Sequence, residues 1–210
     1  MINFIVPSVG RKTLTDTLNS LVNQINNEWE AWVGLDGICE SEFDKGILLN
    51  DSRIHYVFIK DRLGDFDHNP AVERPTGNAG RVRNYLISLI DNEYDWIGFV
   101  DDDDTLRETY IDKLIEEIQY TSFDCCIFRM IHDDRKNNRT VIIPPYGMNQ
   151  VAQNFVGISF CVSRSFLNRT GVKFTSSSFE DYTMLESIHN ANGEIYMSEH
   201  LVYDVRPAGD

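Results

Sequence analysis

At 210 residues, 42% of them hydrophobic, the chain suits one domain with a substantial core, and its composition excludes intrinsic disorder. A formal net charge of −14 argues against nucleic acid or an anionic lipid surface as the main partner. No apolar run approaches the ~20 residues of a membrane span and the first residues lack a signal-peptide pattern, so a cytoplasmic protein with no membrane span is expected.

In chain order, residues 2–6 form a short apolar run closed by Pro7 and predict a buried strand. Leu14, Leu18, Leu21, Val22 and Ile25 recur at helical spacing, which predicts an amphipathic helix over 13–24. Strands are expected at 29–35, stopped by the turn pair Asp36-Gly37, and at 54–59. Residues 60–80 are polar and rich in Gly and Pro, and read as a long loop carrying Asp65, Asp67, His68 and Arg74. A helix over 81–90 and a strongly apolar strand over 96–100 follow. Thr105 and Glu108 have capping-box spacing before a helix with Leu106, Leu114, Ile115 and Ile118 on its apolar face. Strands at 125–131 and 140–143 flank a turn at Asn137 and Asn138, and 156–162 is another candidate strand. A helix over 179–190, stopped by Asn192-Gly193, precedes a last strand at 195–203. The alternation of strands and helices argues for an α/β fold with a central, mainly parallel sheet between helical layers.

The four cysteines, Cys39, Cys125, Cys126 and Cys161, match no metal or redox spacing and read as reduced structural thiols. Among five histidines only His200, in the last strand, is a possible metal ligand, though a lone strand histidine is more often simply packed. No phosphate-binding GxxxxGK[ST] loop is present.

The chemistry concentrates at strand ends, where α/β sheets bind ligands. The 96–100 strand runs into Asp101, Asp102, Asp103 and Asp104. Adjacent carboxylates repel, which a fold tolerates if they are solvated or if a hard divalent cation such as Mn²⁺ or Mg²⁺ neutralises them; acidic residues favoured at a helix N-terminus are the alternative, which the strand immediately before the run weakens. An EF-hand loop is excluded, since its sixth and twelfth positions would be Leu106 and Asp112. Asp36, also at a strand end, could accept hydrogen bonds from a base or ribose, or merely form its turn. Arg81 and Arg83, following a glycine-containing loop, suit phosphate or carboxylate partners, or a solvated helix face. Glu180 and Asp181 suit a first helical turn, or a general base that deprotonates a hydroxyl.

Taken in order, these segments resemble the family-2 inverting glycosyltransferases of the GT-A fold. The likeness rests on Ile5-Val6-Pro7, Arg11, Leu14, Leu18, Ser20, Leu21, Gln24 and Trp29-Glu30 as a first βαβ unit, then Asp36-Gly37. It continues with Gly80, Arg83 and Asn84, with Phe99-Val100 before the four aspartates, and with Glu180-Asp181. The resemblance implies a Rossmann-like three-layer GT-A domain over 1–210, with a donor-binding half (1–104) and an acceptor-binding half (105–210). It implies a nucleotide-sugar donor, UDP-linked, contacted by Pro7, Asp36, Arg83, Asp101 and Asp102. Mn²⁺ or Mg²⁺ is implied on Asp101 and Asp103, and Asp181 as the base acting on a carbohydrate or other hydroxyl acceptor. Phe155, Gly157 and Phe174 fall in the implied acceptor region, 149–179. The sequence departs from the pattern at Gly34-Leu35-Asp36-Gly37, where many members carry a second aspartate and a serine, and in the long 60–80 loop. The chain ends soon after its last strand, as expected of a minimal catalytic domain or a piece of a longer protein. A sugar nucleotidyltransferase, with Ser8-Val9-Gly10-Arg11-Lys12 as a faint echo of its basic loop, and a non-catalytic nucleotide-sugar-binding module are the alternatives.

Overall fold

A computed structural model describes residues 1–66, 77–91, 95–134, 139–175 and 179–205. Every residue of strand β1 (Ile2–Ser8) is buried, because it lies between two parallel neighbours. Helix α1 (Leu14–Val22) follows and sets Leu14, Leu18 and Leu21 into the core. Full burial of each such leucine contributes about 1.5–3 kcal/mol. The chain returns through β2 (Trp29–Asp36), β3 (Ile54–Ile59), the short pair β4 (Asp65–Phe66) and β5 (Gly77–Asn78), and α2 (Gly80–Ile87). It continues with β6 (Trp96–Phe99), β7 (Thr105–Leu106), α3 (Tyr110–Tyr120), β8 (Cys125–Asp134) and β9 (Arg139–Ile143). Strand β10 (Phe160–Ser163), α4 (Arg164–Thr170), α5 (Glu180–Asn190) and β11 (Ile195–Asp204) complete it.

The sheet runs β3-β2-β1-β6-β10-β8-β11-β7, with β9 added beside β8. From β3 to β6 all pairings are parallel; β10 joins antiparallel to β6 and β8, and β8 and β11 pair parallel. Side-chain parity assigns the layers. A Cβ on Gly34 would meet Val82 and Leu86 of α2, so α2 covers the face carrying Gly34 and its register partner Pro7. Phe4 has the opposite parity and packs edge-on against Tyr110 of α3, 5.5 Å between ring centroids. Helices α2 and α3 therefore cover opposite faces, giving three layers.

Several expectations are corrected. Thr105 and Glu108 form no capping box: Thr105 and Leu106 are strand β7, paired with Asp204 and Tyr203, and the helix starts at Tyr110. Cross-strand pairing and the burial of Leu106 override the local pattern. On α3 the inward positions are Tyr110, Ile111, Leu114 and Glu117, while Ile118 is exposed. Glu117 turns in because its Oε1 accepts from Ser198 Oγ at 2.6 Å. Helix α1 ends before Ile25, which is exposed. Strand β1 continues through Pro7 to Ser8. Of the 156–162 candidate only the end is strand. Helix α4 was not foreseen; the Ser163 side chain accepts from Phe166 N at its start, and Gly171 (φ 71°) caps its end. Asp67, His68, Arg74, Asn137 and Asn138 lie outside the described residues.

Candidate active site

The site opens where β1 meets β6. Helices and loops connect β1 to β2 on one side, while β6 arrives on the other, so the strand order reverses at this seam. The last rung is Val100 N donating to Ile5 O at 3.2 Å. Successive residues of a parallel strand address opposite neighbours, so the N–H that Pro7 lacks would face β6 just after β6 has left. The proline costs no hydrogen bond there and helps keep the seam open.

The four aspartates divide among Arg83, Arg11 and Tyr203, with Asp102 and Asp103 sharing Arg11. Asp101 accepts from Arg83. Asp102, 5% exposed, takes Ser8 Oγ at 2.6 Å and lies 3.2 Å from Arg11 Nη1. Asp103 accepts from the same Arg11 nitrogen at 2.9 Å. Asp104 is buried and takes the Tyr203 hydroxyl at 2.7 Å, while its carbonyl accepts from Thr17 Oγ1 at 2.7 Å. This division solves the repulsion noted in the sequence, with Asp104 serving structure and the other three facing a cleft. Burial raises the Asp102 carboxyl above the usual carboxylate range, opposed by Ser8 and Arg11.

Arg83 is the hub. Its side chain is 3% exposed, lies over the Phe174 ring at 5.2 Å, and donates to Asp101 and Glu180. Glu180 is fixed further by Gly80 N at 2.7 Å, which ties α5 to the start of α2. Burial works against the charged guanidinium, but Asp101, Glu180 and Asp181 together hold it above the ordinary arginine range. Burial likewise raises Glu180, against the pull of Arg83. Asp181 Oδ1 lies 3.9 Å from Arg83 Nη1, beyond hydrogen-bond reach, and this one oxygen is buried with no hydrogen-bond partner among the described residues. Burial pushes its carboxyl up to about 7; Arg83 pulls it down, and Asp101 and Glu180 add to the rise. A carboxyl so poised can exchange a proton near neutral pH.

Asp36, at the end of β2, accepts from Leu63 N at 2.7 Å and Gly64 N at 2.9 Å. It thereby pins the start of the long loop along the cleft, and each oxygen keeps lone-pair capacity for a ligand. Pro7, Asp36, Arg83, Asp101, Asp102 and Asp103 all line one cleft of about 240 Å³, with Ser8, Arg11, Arg62 and Glu180. Asp181 is not among the residues that line it, and meets the cleft only through Arg83, 3.9 Å away. Arg81 points to solvent on α2, where Arg83 turns inward. His200 lies 3.6 Å from Glu117, on α3, and does not line the cleft. Phe155 is exposed, Gly157 is packed against Met130, and Phe174 is buried under Arg83. The roles of Ser8, Thr17 and Tyr203 have no signal in the sequence beyond the placement of Tyr203 at the end of the last expected strand.

Among the described residues, five carboxylates and three guanidiniums line the cleft, a formal excess of two negative charges among them. Among the described residues no three His, Cys, Asp or Glu side chains converge into a ready metal cage. A Mg²⁺- or Mn²⁺-type site does not require one, since one or two carboxylates completed by substrate phosphates suffice. The hard oxygen donors of Asp101 and Asp103 fit such an ion.

The chain belongs to glycosyl transferase family 2, whose family model matches residues 4–173. Its fold is the GT-A fold of these glycosyltransferases. A crystal structure of S. aureus TarS 1–349 in complex with UDP-GlcNAc is similar at TM-score 0.71 and 17% identity, over 100% of this chain and 59% of that one. The mannosyltransferase PcManGT from Pyrobaculum calidifontis, in complex with GDP-Man and Mn²⁺, is similar at TM-score 0.65 and 13% identity, over 97% and 56%. The chain thus spans less than three fifths of the length of these structures. No curated protein matches it. Family membership replaces the nucleotidyltransferase alternative. No helix among the described residues is long and apolar enough to cross a membrane.

Proposed function

We propose that the chain transfers a sugar from a nucleoside-diphosphate donor to an acceptor hydroxyl, with inversion at the anomeric carbon. The observation that carries this reading is the Asp181–Arg83–Asp101 juxtaposition, which joins a carboxyl of raised proton affinity to the aspartate run at the strand seam. Asp181 accepts the proton of the acceptor hydroxyl as its oxygen attacks the anomeric carbon. The bond from that carbon to the diphosphate oxygen breaks, and its electron pair leaves with the nucleoside diphosphate. Pro7 and Asp36 border the nucleoside end of the cleft, and Arg83 fixes Asp101 and Glu180. A Mn²⁺ or Mg²⁺ ion on Asp101 and Asp103, when bound, would supply positive charge to the diphosphate. Residues 1–104 act as the donor half and 105–210, including Asp181, as the acceptor half.

A UDP-sugar is the first donor to test, following the UDP-GlcNAc complex of TarS, with GDP-mannose second, following PcManGT. The four free cysteines suit a reducing cytoplasmic setting. The test incubates the chain with UDP- and GDP-sugars, Mn²⁺ and a panel of hydroxyl acceptors, and follows diphosphate release. Release that depends on acceptor and disappears in Asp181→Asn supports the reading. Donor binding without release, across the panel, points instead to a binding module.

A further inference from the structure

We infer that Arg11 is a displaceable cation, which holds Asp102 and Asp103 in the cleft, yields to the divalent ion there and then contacts the donor diphosphate. The inference rests on the donor and metal reading above and concerns the order in which charges occupy that site.

Among the described residues three guanidiniums line the cleft, and they differ in freedom. Arg83 is buried beneath Asp101 and Glu180, so its charge is consumed by the frame. Arg62 stands at the nucleoside end, 4.0 Å from Asp36 Oδ2. Arg11 touches both Asp102 and Asp103, and its side chain is 53% exposed. An exposed ion pair contributes little, so leaving it costs little. A dication arriving at Asp103 competes for the carboxylate that Arg11 holds.

The surroundings fit such an exchange. Asp102 keeps the Ser8 hydroxyl at 2.6 Å when Arg11 leaves, so no buried carboxylate is orphaned. Ser8 Oγ also accepts from Gly10 N at 2.9 Å, fixing the turn that carries Arg11. Gly10 has φ 79°, and a Cβ there would meet Phe43 at 2.8 Å and Ile38 at 2.9 Å. The backbone is anchored, and only the Arg11 side chain has to swing. Once released, a guanidinium on the rim suits two phosphate oxygens, which a protein of net charge −14 otherwise repels.

The test measures Mn²⁺ binding to the nucleotide-free chain by the electron paramagnetic resonance signal of free Mn²⁺, and UDP binding by calorimetry at saturating Mn²⁺. Arg11→Ala is expected to bind Mn²⁺ about three- to fivefold more tightly, because its competitor is gone. The same variant is expected to bind UDP about tenfold more weakly, because a charged phosphate contact is lost. Arg11→Lys should return Mn²⁺ affinity to near the wild-type value and restore UDP only in part. Arg11→Gln repeats the charge removal with the side-chain stem kept, so a folding defect peculiar to alanine is recognised. Unchanged or weaker Mn²⁺ binding in both neutral variants, or unchanged UDP binding, overturns the inference while leaving the donor reading intact. A wild-type chain that binds neither Mn²⁺ nor UDP overturns both.

Discussion

Arg83 and Glu180, 97 positions apart, join helix α2 to helix α5 through a buried guanidinium–carboxylate hydrogen bond. Because the same guanidinium holds Asp101, one residue sets the distance between the aspartate run and the proposed base. Removing it leaves Glu180 buried beside Asp101 with no cation between them. Arg83→Ala should therefore cost about 3 kcal/mol of stability, a fall of roughly 6–12 °C in Tm. Arg83→Lys keeps the charge but not the fork, and should recover only part of the loss. Urea unfolding of the three proteins checks this; an Arg83→Ala within 1 kcal/mol of wild type would mean the hub is not structural.

Asp181 carries a pH signature of its own. Its carboxyl holds a proton up to about 7 in the fold, whereas an unfolded aspartate releases it near 4. As the base form is required, kcat should climb with pH and level off above about 7. Stability runs the other way. The folded state binds the extra proton between those values, so this contribution is full below about pH 4 and lost as pH rises through 7. Asp181→Asn should lose about 10²–10⁴ in kcat with little change in UDP affinity. Above pH 7 it should also be more stable than wild type, by about 1 kcal/mol once discounted for a side chain that is a third exposed. Paired pH–rate and pH–Tm profiles of the two proteins decide it. A flat difference in Tm from pH 5 to 9 would show that Asp181 is ionised throughout.

Much of this arrangement was legible because it depends on where apolar runs stop. The runs ending at Leu35 and Phe99-Val100 deliver Asp36 and Asp101 to one edge of the sheet, and parallel pairing makes that edge common to both. What was not legible depends on contacts across the chain. Arg11 reaches Asp103 over 92 positions, and Tyr203 reaches Asp104 over 99, with no local pattern to announce either. Leu106 has helical spacing with Leu114 but pairs with Tyr203 as a strand, so the local signal yielded to the sheet. Helix α4 is only seven residues long, too short for a periodic pattern, although Ser163 and Gly171 mark both of its ends.

Tyr203 is the support of the aspartate run. Its ring is buried, its hydroxyl donates to Asp104 at 2.7 Å, and Asp101 N approaches the same oxygen at 3.4 Å. Burial and the adjacent carboxylates of Asp104 and Asp101 push its phenol well above the usual tyrosine range, so it remains a donor at every working pH. Tyr203→Phe keeps the shape and leaves a buried carboxylate one donor short. It should cost about 1–3 kcal/mol, and raise the KM for donor more than it lowers kcat. Chemical unfolding and donor saturation curves test this; full stability in the phenylalanine variant would mean that Asp104 finds another donor.

Asp36 binds two backbone N–H groups, and this predicts how its variants behave. An asparagine can accept one of the two and turns its NH₂ towards the other, so Asp36→Asn should cost about 1–2 kcal/mol. If its part in donor binding is to hold residues 62–64 along the cleft, then UDP, GDP, CDP and dTDP should lose affinity by a similar factor. A direct contact with the base would instead cost one nucleotide far more than the rest. Calorimetric titration of the four diphosphates against wild type and Asp36→Asn separates these outcomes.

The aspartate run itself yields the sharpest test of the metal. A ligand that binds only the folded chain stabilises it by mass action, about 2.7 kcal/mol at one hundred times its Kd, or roughly 5–11 °C in Tm for a domain of this size. UDP with Mn²⁺ should produce such a shift, and UDP with EDTA should produce little, because the carboxylates that line the cleft repel a bare diphosphate. Asp103→Ala should abolish the Mn²⁺-dependent part of the shift while keeping the unliganded Tm within about 2 °C, since the ion pair it makes with Arg11 is exposed on the arginine side. If UDP shifts the Tm equally with Mn²⁺ and with EDTA, the diphosphate is held by arginines alone, and the excess of negative charge in the cleft must be relieved by protonation of its carboxylates rather than by an ion.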